Sequence, residues 1–174
     1  MVDHPCFQIT TERLHLRAWS SADVPSFQPI AQDPRVMKYI GPGRTWTDLQ
    51  VENFITRQIE LQQQLGFSLW PIFHQADDLL VGFCGLQPLG DTGEIEIGWW
   101  LAVAYWGQGL ATEAAKKALD YGLNELDLRR IVSIAQPANT ASTNIMQKLG
   151  MKFERRMEYN GIETVLYAID DSPE

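Results

Sequence analysis

The segment AYWGQGLATEAA, residues 104–115, places two glycines directly before an alanine-rich run of helical character. A helix start leaves about four backbone N–H groups without partners and carries a partial positive charge. Because Gly107 and Gly109 have no side chains, an anion can approach that backbone closely, and phosphate is the common biological anion of suitable size. The same spacing also fits an ordinary tight turn, so the segment alone leaves both interpretations open.

Neither of two common nucleotide-binding loops fits this segment. A P-loop requires a Gly-Lys-Ser/Thr triplet, which the sequence lacks. A dinucleotide-binding loop requires G-x-G-x-x-G and an acidic residue at the end of the next strand, but Thr112 occupies the third glycine position and the next strand is predicted to end at Gln136. A phosphate-binding role would therefore belong to a different class of loop.

Two carboxylates precede the glycines in the run EIEIGWWL. In a strand, Glu94, Glu96, Gly98 and Trp100 share one face, while the intervening apolar residues face the other way. Such a pair forms either a solvated sheet edge or the wall of a cleft, and composition alone favours the solvated edge. Gly98 leaves room for a molecule to lie against that face of the sheet.

A third candidate group lies in PANTASTNIMQKLG. Asn139 or Thr140 is the expected N-cap of a short helix. Ser142 shares the helical stripe of Ile145 and Met146, so its hydroxyl is expected to face inward. An inward serine ordinarily bonds to backbone, which leaves a structural role open beside a catalytic one.

The spacing of the histidines and cysteines matches no metal-binding motif and no motif for an activated nucleophile. His4, His15 and His74 form no Ser-His-Asp pattern and no ligand cluster. Cys6 and Cys84 form neither a disulfide framework nor a zinc motif. No metal is therefore expected.

Composition indicates an ordinary globular enzyme or binding domain. The chain has 174 residues, 45% hydrophobic and 21% charged, and we expect residues 1–174 to form a single domain. A formal net charge of −8 argues against a nucleic-acid partner. No apolar run long enough for a membrane span and no signal peptide are evident, so a cytoplasmic location is expected.

Hydrophobic periodicity predicts the order β-α-α-β-β-β-α-β-α-β-β. This order indicates an α/β (α+β) fold, a mixed, mostly antiparallel sheet of about seven strands with helices on both faces. The sole parallel pair joins the strands on either side of the helix after the glycines. The predicted strands are ERLHLRAW, residues 67–73, 79–86 and 94–103, RRIVSIAQ, and the two arms of a hairpin around Asn160-Gly161. One predicted helix starts near Ser20 or Ser21 and a second starts at Thr47. Two more span residues 111–126 and 140–149.

Three finer expectations accompany these elements. In ERLHLRAW, strand alternation places Ala18 on the buried face and Trp19 on the outer face. Thr47 and Gln50 form a capping box at the start of the second helix. In the helix after the glycines, Glu113 is expected to face water.

The stretches EIEIGWWLAVAYWGQGLATEA and NTASTNIMQKLGM, within this element order, resemble the GCN5-related N-acetyltransferase (GNAT) superfamily. The chain is most similar to the ribosomal-protein-alanine N-acetyltransferase (Rim-type) branch, and the resemblance runs from TERLHLRAW to VLYAI. It implies that backbone N–H groups of the loop bind the pyrophosphate of acetyl-CoA. The family's Q/R-x-x-G-x-G/A pattern begins here with a tryptophan, as is usual in the Rim-type branch. The implied acetyl-CoA contacts are Trp100, Leu101, Val103, Trp106, Gly107, Gln108, Gly109, Leu110, Ala111, Thr112, Asn139 and Ser142.

The resemblance also implies catalytic roles. The sheet opens between the parallel strands to admit pantetheine, and a backbone N–H near Trp100 or Leu101 stabilises the oxyanion. Glu96 is the expected general base, directly or through a water, with Glu94 in reserve. Asn139 contacts pantetheine, and Ser142 stabilises the departing thiolate or acts as its acid.

The expected reaction is acetyl transfer from acetyl-CoA to a primary amine in a ternary complex. The acceptor is a protein N-terminal amine or a small-molecule amine, in a pocket to which Trp46 and Trp100 are candidate contributors. The alternative is a non-catalytic acyl-CoA-binding or sensing domain, which would need the glycine loop but neither Glu96 nor Ser142. Either a monomer or a homodimer is compatible with the sequence.

Overall fold

The computed structural model describes residues 7–170, which contain eight strands and five α-helices. The strands are β1 (Gln8–Thr10), β2 (Leu14–Arg17), β3 (Leu69–His74), β4 (Leu79–Pro88), β5 (Ile95–Leu101), β6 (Arg130–Ala135), β7 (Lys152–Tyr159) and β8 (Ile162–Asp170). The helices are α1 (Val24–Ala31), α2 (Pro34–Met37), α3 (Asp48–Leu65), α4 (Leu110–Asp120) and α5 (Thr140–Lys148). The strands form one sheet in the order β1-β2-β3-β4-β5-β6-β8-β7.

The predicted mixed sheet is confirmed, with eight strands instead of about seven. The additional strand, β1, pairs antiparallel with β2 and is only three residues long. The predicted loop after α1 contains a further short helix, α2. It forms because the Asp33 side chain accepts a hydrogen bond from the Arg35 N–H at 2.9 Å, with Pro34 at the first helical position.

The side-chain alternation predicted at the end of ERLHLRAW is wrong. Strand β2 ends at Arg17, and Trp19 is buried with 5% exposure instead of facing outward. Its indole N–H donates to the backbone carbonyl of Leu69. The period of two is lost because Ser20 already caps the turn that leads into α1.

The helix predicted over 111–126 is α-helical only to Asp120 and continues as a π turn over Tyr121–Glu125. The Leu126 N–H donates to the Tyr121 carbonyl at 3.1 Å, five residues back. Gly122 is buried in this turn, where an added Cβ would lie 2.7 Å from the Ile131 side chain. The turn therefore rests directly on the sheet.

Local signals at the ends of α3 and at the last hairpin are confirmed. Thr47 and Gln50 form the predicted capping box, with hydrogen bonds of 3.3 and 2.9 Å. Gly66 ends α3 in the left-handed conformation, with φ +80°. Asn160 and Gly161, both at positive φ, form the turn between β7 and β8.

The parallel pair is formed by β5 and β6, and it is brief. Their described register contains one residue pair, Glu96 with Val132, whereas β4 and β5 pair along seven positions. The two strands therefore separate beyond Glu96. The Ser133 hydroxyl, on β6, donates to the Ile97 carbonyl of β5 at 3.0 Å and joins the two strands at the start of the opening.

Helices cover both faces of the sheet, as predicted. On one face, α1 and α3 pack with Leu69, Phe83 and Trp100. On the other face, α4 and α5 pack with Ile97 and Leu101. The alternation of β5 thus places Glu96 on the α3 side of the sheet.

Some sequence expectations fall outside the described residues, among them those on His4 and Cys6. Cys84 is buried as a free thiol. His15 bonds Gln8, and His74 lies 2.9 Å from an Asp77 carboxylate oxygen. Within residues 7–170 we find neither a helix suited to crossing a membrane nor a cluster of three or more metal-ligating side chains.

Candidate active site

A cavity of about 440 Å³ occupies the opening between β5 and β6. Four of the sequence-predicted site residues line it, namely Glu96, Trp100, Asn139 and Ser142. The candidate base and the candidate thiolate-stabilising hydroxyl therefore meet in one cavity, although they are far apart in sequence.

Glu96 is on the cavity wall, which corrects the solvated-edge interpretation. Burial raises the pKa of its carboxyl from 4.5 to about 7, and a hydrogen bond from Gln87 partly opposes that rise. The Gln87 Nε2 donates to Glu96 Oε1 at 2.7 Å. A carboxyl with a pKa near neutrality can accept a proton and release it at the same pH, which suits a general base.

A chain of buried amides fixes the direction of that hydrogen bond. The Leu69 N–H can only donate, and it donates to Gln58 Oε1 at 2.9 Å. Gln58 Nε2 must then face Gln87, and it donates to Gln87 Oε1 at 3.1 Å. The Nε2 group of Gln87 therefore faces Glu96 and is the donor in that hydrogen bond. Gln58 is 1% exposed. Sequence patterns identified neither Gln58 nor Gln87 as a residue of the site.

Glu94, the reserve candidate, lies outside the cavity. Its carboxylate receives hydrogen bonds from Arg130 Nε at 3.1 and 3.2 Å. The same guanidinium also contacts Glu154 on β7 and Asp170 on β8. Glu94 thus belongs to an ion-pair cluster that links strands instead of facing a substrate.

Asn139 and Ser142 take up the expected positions at the start of α5. Asn139 is the N-cap, and its Oδ1 accepts from the Ser142 N–H at 3.2 Å. No hydrogen bond of the Ser142 hydroxyl is found within residues 7–170, and the side chain lines the cavity. The hydroxyl is therefore available to a ligand, and the structure gives no support to the alternative in which it bonds to backbone.

The glycine loop opens α4, as expected for an anion cradle. Gly107 and Gly109 have φ of +71° and +77°, and a Cβ added at Gly107 would meet nothing within 4 Å. Gly109 is the N-cap of α4 and, because it has no side chain, it leaves the N–H groups of the first turn without a side-chain cap. Free space beside the N–H groups of a helix start is suited to an anion. The predicted contacts Gln108, Leu110, Ala111 and Thr112 belong to the same loop and helix start.

Trp106, at the first position of the loop pattern, braces the loop instead of extending the cavity. Its indole N–H donates to the Leu101 carbonyl at 2.8 Å, and the ring is 48% exposed. Val103 lies in the short 3-10 turn between β5 and the loop. Neither residue lines the cavity, so any contact of theirs with acetyl-CoA would be made at the outer edge of the site.

The Leu101 side chain is buried on the α4 side, so only its backbone can serve the site. The Ala102 N–H donates to the Val81 carbonyl of β4 at 2.8 Å. Because N–H groups alternate in direction along an antiparallel strand, the Leu101 N–H points away from β4, toward the opening. This direction is the one required of an oxyanion donor.

An ion pair that the sequence did not indicate ties the glycine loop to the first hairpin. Arg13 donates to Glu113 at 2.7 Å and to the Gln108 carbonyl at 2.9 Å, and Glu113 also accepts from the Thr11 hydroxyl at 2.6 Å. Although burial acts to raise the pKa of Glu113, these hydrogen bonds outweigh it and hold the pKa below its ordinary value. The prediction that Glu113 faces water is therefore wrong, because its partners come from a segment about 100 residues away.

Aromatic rings form the end of the cavity opposite α5. Trp46 and Trp100, predicted for an acceptor pocket, both line it, with ring centroids 4.8 Å apart. Phe54 of α3 also lines the cavity, with its ring centroid 5.3 Å from that of Trp46. The Gln136 amide, directly after β6, donates to the Gly41 carbonyl at 2.8 Å and ties the loop after α2 to the segment before α5.

Comparisons with known proteins agree with this geometry. The sequence profile of the acetyltransferase (GNAT) domain matches residues 13–152. The uncharacterized N-acetyltransferase YnaD of Bacillus subtilis is 32% identical over 146 residues, covering 84% of this chain and 83% of YnaD. The crystal structure of a GNAT-family acetyltransferase from Bacillus anthracis matches with a TM-score of 0.80 and 29% identity, over 94% of this chain and 98% of that one.

RimL, a ribosomal L7/L12 α-N-protein acetyltransferase solved with coenzyme A, has a TM-score of 0.78 and 22% identity, over 94% of this chain and 98% of its own. This likeness concerns the fold. The profile match over most of the chain and the similarity to YnaD go further. The chain belongs to the GNAT acetyltransferase family and is an N-acetyltransferase.

Proposed function

We propose that this N-acetyltransferase moves the acetyl group of acetyl-CoA directly to a primary amine, and that the acetyl group and the amine meet in the cavity between β5 and β6. The observation that carries the proposal is that Glu96 and Ser142 line this one cavity. No cysteine is close to the glycine loop in the sequence to suggest a covalent acyl-enzyme. Membership of the GNAT family supports acetyl-CoA as the acetyl donor, and the cavity suggests where the acetyl group and the amine meet.

Glu96 is the proposed general base. A primary amine is mostly protonated at neutral pH, so a proton must leave before the nitrogen can attack the acetyl carbon. With its pKa raised by burial to about 7, Glu96 accepts that proton directly or through one water. The Gln87 amide holds the accepting carboxylate in place.

The new N–C bond forms as the thioester carbonyl becomes an oxyanion, which the Leu101 N–H stabilises. The C–S bond then breaks, and the thiolate leaves with the bonding electron pair. After attack the nitrogen still carries one proton too many, and it loses that proton as the amide forms. Ser142 donates a hydrogen bond to the departing thiolate, and the thiolate takes up the proton that the nitrogen releases to give free coenzyme A. The N–H groups of residues 107–112 bind the pyrophosphate, and Asn139 contacts pantetheine.

The acceptor is a protein N-terminal amine or a small-molecule amine. Resemblance to the Rim-type branch favours a peptide N-terminus, and RimL, which shares the fold, acts on ribosomal L7/L12. The aromatic end of the cavity, with Trp46 and Trp100, is the proposed acceptor site. An acyl-CoA sensing domain would need neither a carboxylate of raised pKa nor a free hydroxyl in the same cavity, so the enzymatic function is favoured.

The decisive experiment measures free-thiol release from acetyl-CoA with a panel of amines and short peptides. We expect release to depend on one acceptor class, and Glu96→Gln to lower kcat by about 10²- to 10⁴-fold. Ser142→Ala should lower kcat by about tenfold, the loss of a hydrogen bond to a charged group. Ser26→Ala, at an exposed position in α1, serves as the matched control.

A second variant tests the choice of base. Glu94→Gln should retain most of the activity, because Glu94 lies outside the cavity. Equal loss in Glu94→Gln and Glu96→Gln would contradict the assignment of Glu96. Binding of acetyl-CoA without acceptor-dependent release in wild type would contradict the proposed reaction and favour the sensing function.

A further inference from the structure

The charges that line the cavity define a narrow class of acceptor. Among the lining residues of the described chain, the cation is Arg57, and the one carboxyl is Glu96, which is only partly ionised at neutral pH because its pKa is about 7. The lining therefore has no excess of negative charge, although the chain carries a formal charge of −8. A cavity for a polyamine would need further carboxylates for the additional cations.

Arg57 is an available cation. Six of the chain's arginines form ion pairs with carboxylates in the described residues, whereas no ion pair of Arg57 is found there. Phe54 and Gln58, on the same side of α3, also line the cavity. The guanidinium therefore extends from the same helix face that carries the aromatic wall and the first amide of the chain leading to Glu96.

Tyr159 also lines the cavity, together with Glu96 and Arg57. Burial raises the pKa of the Tyr159 hydroxyl, the charge of Glu96 raises it further, and the charge of Arg57 opposes the rise. Both charges thus act on the same hydroxyl. The cavity thus combines one carboxyl, one guanidinium and a group of aromatic rings, and the first two are both close enough to Tyr159 to act on it.

We propose that the acceptor is a small primary amine that carries a carboxylate and an apolar body, a free hydrophobic or aromatic amino acid or a close derivative. The proposal rests on the acetyltransferase function proposed above. The amine lies at Glu96, the carboxylate pairs with Arg57, and the apolar side chain contacts the rings of Trp46, Phe54 and Trp100. An arginine fork binds a carboxylate with two parallel hydrogen bonds, which a neutral amide cannot match.

The transfer itself is unchanged: the amine nitrogen forms the amide bond, Glu96 takes its proton, and the C–S bond of the thioester breaks to give coenzyme A. Arg57 is thus a specificity-determining residue and takes no part in moving the proton. Its effect should be on kcat/KM for carboxylate-bearing acceptors alone.

The test compares acceptors that differ only in the carboxylate. Thiol release from acetyl-CoA is measured with phenylalanine, phenylalaninamide and phenethylamine. Tryptophan and leucine are each compared with the amine that lacks the carboxylate. Spermidine and a short peptide represent the other acceptor classes. We expect wild type to favour each amino acid over its amide and its amine by about tenfold or more in kcat/KM. In Arg57→Gln that preference should disappear, while the rate with phenethylamine stays the same.

Two variants control for charge and for geometry. Arg129→Gln removes an exposed arginine that does not line the cavity, and it should keep the preference for amino acids. Arg57→Lys keeps the charge without the fork, and it should restore only part of the preference. Equal loss of activity with all acceptors in Arg57→Gln would indicate a structural role and overturn the proposal.

Other results separate this inference from the function on which it depends. Acetylation of spermidine or of the peptide, with none of the amino acids accepted, overturns the acceptor class and leaves the acetyltransferase function standing. Binding of acetyl-CoA with no thiol release for any amine in the panel overturns both.

Discussion

At the scale of the residue, Glu96 combines a function with a cost to stability. In the folded chain its pKa is raised from 4.5 to about 7, so folding favours the neutral carboxyl. The stabilising effect of the neutral form is complete below about pH 4.5 and is lost as the pH rises through 7. Above pH 7, the folded protein must hold a poorly solvated carboxylate, which destabilises it.

Glu96→Gln should therefore be more stable than wild type at pH 8, by about 1–3 kcal/mol in the free energy of unfolding. The glutamine can still accept from Gln87 but has no charge to desolvate. Urea denaturation at pH 8 and at pH 4.5 measures the difference, which should nearly vanish at the lower pH. A variant less stable than wild type at pH 8 would show that the carboxylate is well stabilised in the fold.

Gln87 controls the protonation of Glu96 through one hydrogen bond. Since that bond lowers the pKa of Glu96, Gln87→Leu should raise the pKa above about 7. The acidic limb of the kcat/KM profile, which requires the ionised base, should then move to higher pH. Gln147→Leu, at an exposed position in α5, should leave the profile in place. An unchanged profile in Gln87→Leu would mean that another group titrates in that limb.

At the scale of the element, the start of α4 depends on glycines whose backbone conformation other residues rarely adopt. Gly107 and Gly161 both have positive φ, +71° and +77°, and an added Cβ would meet nothing within 4 Å at either position. An alanine at either position incurs a similar strain, of roughly 1 kcal/mol. The two positions differ in their surroundings, because Gly107 opens α4 and Gly161 lies in the last hairpin.

Gly107→Ala should weaken acetyl-CoA binding by about tenfold, since the methyl group occupies space beside the helix N–H groups. Gly161→Ala should lower stability to a similar extent without changing that affinity. Isothermal titration with acetyl-CoA and thermal melts of both variants make the comparison. Equal affinity in the two variants would argue against a phosphate cradle at this loop.

Elements with local signals are the ones that the sequence predicted well. The Thr47–Gln50 capping box, the Asn160-Gly161 turn and the Asn139 cap all depend on contacts within three residues. Strand β1 was missed because it has three residues and exists only through its pairing with β2. The end of α4 was misjudged because the sheet below it, and not its own periodicity, determines where the helix changes to a π turn.

At the scale of the whole molecule, Arg130 on β6 links the segment before β5 to the last two strands of the sheet. It contacts Glu94 before β5, Glu154 on β7 and Asp170 on β8, at 3.1, 2.6 and 3.1 Å. Hydrogen bonds to these carboxylates raise the pKa of the Arg130 guanidinium above its ordinary value, and the bond to Glu154 has the largest effect. One cation thus holds three carboxylates that would otherwise repel one another.

Arg130→Ala should lower the free energy of unfolding by about 1–2 kcal/mol, more than an isolated surface ion pair would. The loss should shrink at about 1 M salt, which screens the repulsion among the remaining carboxylates. Urea denaturation at low and high salt measures both effects. Arg129→Ala, an exposed neighbour, should lie near wild type at either salt concentration. A salt-independent loss would instead point to packing of the arginine stem.

The sequence by itself determined most of the strands and helices and where the glycine loop falls, because side-chain periodicity and short-range capping act within a few residues. Resemblance to the GNAT superfamily, carried by two segments of the sequence, implied that Glu96, Asn139 and Ser142 were candidates. Only the tertiary structure decided that Glu96 faces a cavity instead of water, that Glu94 does not, and that Arg57 lines the same cavity. The physical reason is that burial, and with it the pKa of a carboxyl, depends on contacts between segments far apart in the chain. Gln58 of α3, Gln87 of β4 and Glu96 of β5 form one hydrogen-bonded chain only when the sheet is assembled.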